Sequence, residues 1–362
     1  MPKLTRRDFL SLSARAGLAV GVSNFLTGCG FEQPILPTPP ILPATATARV
    51  VIVRGRDLGK MAREALEAVG GAEAIVKPGE TVFIKPNLLT AGMGRDNPIV
   101  IGECTKPEIV IAVAEECLKA GAAEVTIGDG SQVLSFSWDD IPTLDGSTNY
   151  AAAAQRLSSS YEGKVKLACL NADSPQWVPI PSPYTGLEQI QISSLVAQAD
   201  RVISIPVLKT HRTTGLTLSM KNFVGVTAMH GFNPTSAGRS RLHLARGGVE
   251  QCFLDIVSAL KPDLTILDAS LGCEGYGPYV EPGMGTTVDM KKRLGDWLVI
   301  AGSDLVAVDA TAARIISHDP AGVNHLVMAY EQGLGQMRED LIEVVGADIG
   351  ELQVDWLPAI RG

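Results

Sequence analysis

Aromatic residues make up only 5% of the 362-residue chain, so a core must be built from Ala, Val, Leu and Ile. With 37 glycines available for tight turns, that composition suits alternating strands and helices, not a disulfide- or aromatic-stapled domain. A basic surplus is missing too. The formal charge is −8, and residues 1–28 carry a net +3, which leaves about −11 on the remainder and disfavours nucleic acid as a partner. Beyond Cys29, the cysteines 104, 117, 169, 252 and 273 are odd in number and lack metal-like spacing, which argues against a disulfide framework; Cys273 stands out as the one to test for reactivity. No Walker loop, nucleophile elbow or His-Glu-x-x-His sequence occurs, which argues against P-loop nucleotide hydrolysis, α/β-hydrolase chemistry and zinc proteolysis. The apolar stretch Ala14–Leu26 is too short to span a bilayer.

What is present begins with an address. Thr5-Arg6-Arg7-Asp8-Phe9-Leu10 is a twin-arginine export signature, and Leu26-Thr27-Gly28-Cys29 resembles a lipobox in which the Cys29 thiol is lipidated. The expected organisation is a signal peptide over 1–28, a Pro-rich tether over 29–48, an α/β domain over 49–350 with 132–193 as an inserted set of small strands, and a tail over 351–362. The predicted location is the cell envelope, lipid-anchored and facing the periplasm or exterior, with the twin-arginine translocase as partner during export.

The central stretch is 199–226. Val202–Val207 reads as a strand buried on both faces, and the loop expected after it holds Lys209, Thr210, His211, Arg212, Thr213 and Thr214, followed by a short helix bearing Lys221 and Asn222. In open α/β sheets ligands sit beyond the carboxyl ends of the strands, so several donors converging there read as an anion-binding wall. A solvated basic loop is the plainer alternative. Lys85 and Asn87 follow the strand Thr81–Ile84, where Asn87 either caps a turn or reaches the crevice; Asp129 lies between two glycines, in a bare turn or in a carboxylate site for a cation. Asp268 and Glu274 are expected at the exit of the strand Leu264–Leu267, and 230–243 as a lid-like loop. Asp304 is placed to cap the helix that follows it.

The order of Ile84-Lys85-Pro86-Asn87-Leu88, Ile127-Gly128-Asp129-Gly130, Pro206–His211, Met220–Gly225 and Gly302–Asp309 resembles the family called domain of unknown function 362, over roughly residues 49–335. Many relatives in that family carry ferredoxin-like iron-sulfur clusters, but no Cys-x-x-Cys-x-x-Cys occurs in this chain. The resemblance implies a fold and a site without a settled reaction. A fainter similarity, in a Lys and His pattern after a buried strand, is to the amino-terminal part of nickel-dependent lactate racemase.

These readings together predict a mostly parallel α/β sheet with helices on both faces and glycine-rich loops at the strand carboxyl ends. The expected chemistry is acid/base work on an anionic small molecule. Its catalytic residues would be Lys209, His211 and Lys221, and its ligand-binding residues Lys85, Asn87, Asn222, Asp268 and Glu274; Asp129 would be the metal ligand. A metal or organic cofactor acquired before export fits this scheme, as does its absence. A lipid-tethered anion- or cofactor-binding protein without turnover, or an envelope assembly factor, are the alternatives.

Overall fold

A computed structural model describes residues 38, 39, 41, 45–94, 97–162, 164–229 and 239–359. The export signature, the lipobox with Cys29 and most of the Pro-rich tether lie outside the described residues.

An 11-stranded sheet forms the centre. Its strands are β1 (Ala48–Gly55), β2 (Thr81–Pro86), β3 (Glu124–Asp129), β4 (Val165–Cys169), β7 (Arg201–Ile205), β8 (Val207–His211), β9 (Gly215–Leu216), β10 (Leu264–Gly275), β11 (Gly285–Asp289), β12 (Trp297–Gly302) and β13 (Ile342–Val345). The spatial order is β13-β1-β12-β10-β7-β2-β3-β4, with β8, β9 and β11 branching from β10's distal half. Along that order every neighbouring pair is parallel except the two made by β12, which runs against β1 and β10. The mostly parallel α/β architecture expected from the sequence is therefore present.

Alternation along the strands explains why both faces are covered. Val82 and Ile84 of β2 join one core with Ile203 and Ile205 of β7, whereas Phe83 and Val202 point into the other. Each such side chain, fully buried, contributes about 1.5–3 kcal/mol. The first core packs under α1 (Leu58–Ala68) and α2 (Pro107–Lys119); the second lies under α6 (Gly248–Leu260) and α7 (Leu305–Ile315). Between these come α3 (Tyr150–Ser160), α4 (Leu218–Lys221) and α5 (Ser240–Leu244), and α8 (Asn324–Glu331) follows α7. Asp57, Asn149 and Asp304 cap α1, α3 and α7 by accepting the amide of the third residue on. Asp304 has the capping role expected of it.

Within 132–193, β4 joins the main sheet as its edge beside β3, while β5 (Trp177–Ser182) and β6 (Glu188–Ser193) form a separate antiparallel pair. Two elements differ from the sequence reading in ways that matter for the site. The polar residues after Pro206 are strand, not loop: β8 carries Lys209, Thr210 and His211, paired with β10 and β9. And β10 does not stop at Leu267 but continues to Gly275, because β8 on one side and β11 on the other supply hydrogen-bond partners for its second half.

Candidate functional site

Four of the sequence motifs meet at the carboxyl ends of β2, β3 and β7. Lys85 at the end of β2 is buried, with Nζ 2.6 Å from Asp129 Oδ1 on the neighbouring β3, an ion-pair contact whose angles fall short of a hydrogen bond. The same Nζ donates to the Pro86 carbonyl at 2.7 Å and to Asn222 Oδ1 at 3.3 Å. Desolvation pulls the Lys85 ammonium below its ordinary range, and the Asp129 carboxylate opposes that pull. Asp129 Oδ2 accepts the Leu88 amide at 2.6 Å, so both carboxylate oxygens are engaged.

Asn222 and Asn87 carry the network onward. Asn222 Nδ2 donates to the Lys85 carbonyl and to Ser204 Oγ, its Oδ1 accepts Asn87 Nδ2 at 3.2 Å, and Asn87 Oδ1 accepts Lys209 Nζ at 3.0 Å. Lys209 Nζ also donates to the Glu103 carbonyl at 2.8 Å. A lysine ammonium has three donors, and among the described residues only these two are taken. Desolvation lowers the Lys209 ammonium.

Two glycines make this convergence sterically possible. A Cβ on Gly225 would collide with Asp129 Oδ1 and approach Lys85 Nζ within 2.9 Å; one on Gly130 would collide with the Arg239 guanidinium. Arg239 itself donates to the carbonyls of Gly130, Ser131, Gly225 and Thr227 and to Asn171 Oδ1, tying the ends of three segments together. Burial brings its guanidinium down to about 10.

Lys221 is different. It ends α4, a single turn held against α7 by Asp309, whose two carboxylate oxygens accept the amides of Ser219 and Met220 at 2.8 and 3.2 Å. Protein packs around its stem, yet by accessible area the residue is only half-buried and it lines the cavity. Among the described residues nothing hydrogen-bonds or ion-pairs with its amine. Desolvation first, and the charge of Lys209 second, bring its ammonium down to about 7, against a smaller opposing pull from Glu250.

His211 lies on the same wall. Its Nδ1 accepts the Thr213 amide at 3.1 Å, so the neutral ring carries its proton on Nε2. Burial and the neighbouring charges of Lys221, Lys209, His243 and Arg212 hold its pKa well below 6.5. The neutral ring is thus a hydrogen-bond donor through Nε2, with its other nitrogen already accepting a bond.

Lys85, Asn87, Asp129, Lys209, His211, Lys221 and Asn222 all line one cavity of about 510 Å³. The structure does not bring Asp268 and Glu274 to it. Asp268 is fully buried and taken by the Lys106 amide and ammonium and by Ser270; Glu274 is held by Arg293 and the Leu357 amide. Both were expected at a strand exit, and the extension of β10 places them inside the sheet instead. Cys273 is a second correction: it is buried, and burial pushes its thiol up to about 12, which removes the thiolate a reactive cysteine needs.

Asp129 also does not suit a metal. Its oxygens are engaged, the other charged groups on the wall are cationic, and among the described residues no three His, Cys, Asp or Glu side chains group around one point. The sequence reading missed Arg239, His243 and Tyr279 on the wall. Tyr279 flanks the exposed Arg212, whose guanidinium sits 5.9 Å from that ring and 5.8 Å from Tyr276. Arg239 and His243 fall in the stretch expected to be a lid; residues 230–238 of that stretch lie outside the described residues. Only Gly130, as room for a large side chain, hinted at Arg239.

A family profile described as domain of unknown function (DUF362) matches residues 82–314. A thylakoid-associated protein of Synechocystis sp. is 29% identical over 279 residues, covering 75% of this chain and 74% of that one. The lactate racemase apoprotein from Thermoanaerobacterium thermosaccharolyticum aligns with a TM-score of 0.38 at 11% identity, covering 76% of this chain and 58% of that one, under two thirds of its length.

Proposed function

The chain belongs to the DUF362 family, and from that premise and the cavity we propose that it is an exported enzyme performing acid/base chemistry on an anionic small molecule. One observation carries the reading: Lys85, Lys209, Arg212, Lys221 and Arg239 converge on a cavity where, among the described residues, the one carboxylate, Asp129, is already engaged. In a chain of formal charge −8, this is a local attractor for an anion. Lys85, Asn87 and Asn222 fix the floor. Lys209 and His211 Nε2–H donate to the ligand, and Lys221 is the group able to gain or lose a proton near neutrality.

The test is a thermal-shift panel of small carboxylates and phosphates on the mature protein. Lys209→Met and Lys221→Met should each weaken binding by about 1–3 kcal/mol, the scale of a charge-assisted hydrogen bond. The double variant should lose less than the sum, since both residues contact one ligand. His211→Gln, which keeps an N–H donor, should retain most of the affinity. Unchanged binding in all three variants would make this wall ordinary scaffold. One observation favours a second reading, a tethered binding protein without turnover: with the His211 Nδ1 lone pair and Asp129 engaged, few groups remain to move a proton. Ligand-induced stabilisation with no chemical change in the ligand would select it.

The address belongs to the same proposal: export through the twin-arginine pathway and attachment by lipid on Cys29. Changing Arg6 and Arg7 together to Lys should leave the precursor in the cytoplasm, because lysine does not reproduce the planar guanidinium donors. Cys29→Ser should release the body from membranes. Normal export of the first variant, or sedimentation of the second with membranes, would remove this part.

A further inference from the structure

Three lysines meet in the cavity, and their amines are not equivalent. Lys85 Nζ is committed to Asp129, Pro86 and Asn222, and Lys209 Nζ to Asn87 and the Glu103 carbonyl. Lys221 Nζ has no such partner among the described residues, although its backbone is firmly placed: Asp309 clamps the preceding turn, and Leu218 is held at a left-handed φ of 49° to start it. A side chain fixed at its root, free at its tip and facing a cavity is arranged to act on whatever enters.

We propose that Lys221 is a nucleophilic amine that forms a covalent imine with the carbonyl carbon of a small 2-oxo acid bound in the cavity. The inference rests on the anion-site reading and names its substrate class. A carboxylate accounts for the third donor of Lys209 and for Arg212 at the rim, and a carbonyl oxygen for the His211 Nε2–H. Lys85 cannot take the nucleophile's part, because attack needs a free lone pair and its amine is held by Asp129, Pro86 and Asn222; Lys209, fixed by Asn87 and the Glu103 carbonyl, is oriented to bind the carboxylate.

The chemistry balances without an external reagent. The Nζ lone pair forms a bond to the carbonyl carbon while the C=O π pair moves to oxygen; a proton passes from nitrogen to that oxygen, giving a carbinolamine. The hydroxyl then takes a second proton from solvent and leaves as water while the nitrogen lone pair forms the C=N bond; the nitrogen keeps its remaining hydrogen, so the imine forms protonated, and nothing is oxidised or reduced. The protonated imine withdraws electrons from the adjacent carbon, which is how a lysine prepares a neighbouring C–H or C–carboxylate bond to break. Desolvation beside a second cation is the setting that leaves a lysine amine neutral at working pH, and Lys221 has both.

The experiment is reductive trapping of the mature protein with pyruvate and sodium cyanoborohydride, read by intact mass and peptide mapping. Acetone, a ketone without a carboxylate, is the control, and the thermal shift given by oxalate and phosphate is measured in parallel. The expected result is a single carboxyethyl group on Lys221, formed about tenfold faster than acetone labels the same residue, the rate ratio that one added charge-assisted contact would give. Lys221→Arg should abolish it and Lys209→Met should slow it. An unlabelled Lys221, or labelling spread evenly over surface lysines, overturns the imine even in the wild-type protein, whatever the variants do. If oxalate or phosphate still stabilises the protein in that case, the anion site stands and only the imine falls; if neither does, both fall together.

Discussion

Lys85→Met is expected to lower the stability of the folded protein by about 3–5 kcal/mol, the scale for leaving one member of a buried ion pair uncompensated. Lys85 and Asp129 are both nearly inaccessible to water, and their contact joins the ends of adjacent parallel strands. Removing the ammonium strands a carboxylate whose other oxygen is already fixed by the Leu88 amide, so the carboxylate cannot swing out to solvent without breaking that bond too. The adjacent hydrogen bonds go with it, since Asn222 Oδ1 loses one of its two donors. The double variant Lys85→Met with Asp129→Asn should recover most of the loss, because neither member of the pair is then charged, and urea denaturation of the three proteins at neutral pH measures both effects. A single variant within 1 kcal/mol of wild type, or a double variant worse than the single, would mean that this pair does not hold the strand ends together.

That pair also shows where the sequence stops being readable. The strands β2, β3 and β7 announce themselves as aliphatic runs, and the polar residues just past them mark the crevice. The partner of Asp129 is set by register, though: Ile84 pairs with Ile127, which brings Lys85 beside a carboxylate 44 positions away in the chain. Without that register a Gly-Asp-Gly turn reads equally well as a cation site. Lys209 and His211 were legible as site residues but not as strand, because a polar run carries no period-2 signal when both of its neighbours are strands from elsewhere in the chain. Asp268 and Glu274 misled for the same reason in reverse. The segment from Ser270 to Gly275 has little β-propensity of its own and is extended only because β8 and β11 flank it. Arg239 lay beyond reach altogether, since its five acceptors come from three separate stretches of chain.

Lys221→Met is expected to act in the opposite sense to Lys85→Met and make the empty protein more stable. The Lys221 ammonium titrates at about 7 in the fold, against about 10.4 for a lysine in an unfolded chain. Above pH 10.4 the amine is neutral in both states and the residue has no effect on stability through protonation. Between about 10 and 7 the unfolded chain takes up the proton and the fold does not, so wild-type stability falls as the pH falls, by about 1.4 kcal/mol per pH unit from this group. Below 7 both states are protonated and the penalty is constant, at no more than about 5 kcal/mol, since solvent reaching the half-buried side chain screens part of it. Methionine has a similar length and no charge to desolvate, so the advantage of the variant should be near zero at pH 10 and largest at pH 6. The groups that set this balance come from every side: Lys209 and His211 on β8, His243 on α5, Glu250 on α6 and His325 on α8. Subtracting the variant's denaturation curves from wild type at pH 6, 7.5 and 9 isolates the contribution of Lys221 from theirs. A difference that does not change with pH would show that the amine is hydrated like a surface lysine, and a less stable variant would show that its stem is needed for packing. A difference that grows toward low pH and shrinks when an anion is added would mean that the penalty of holding this ammonium is the driving force for filling the cavity.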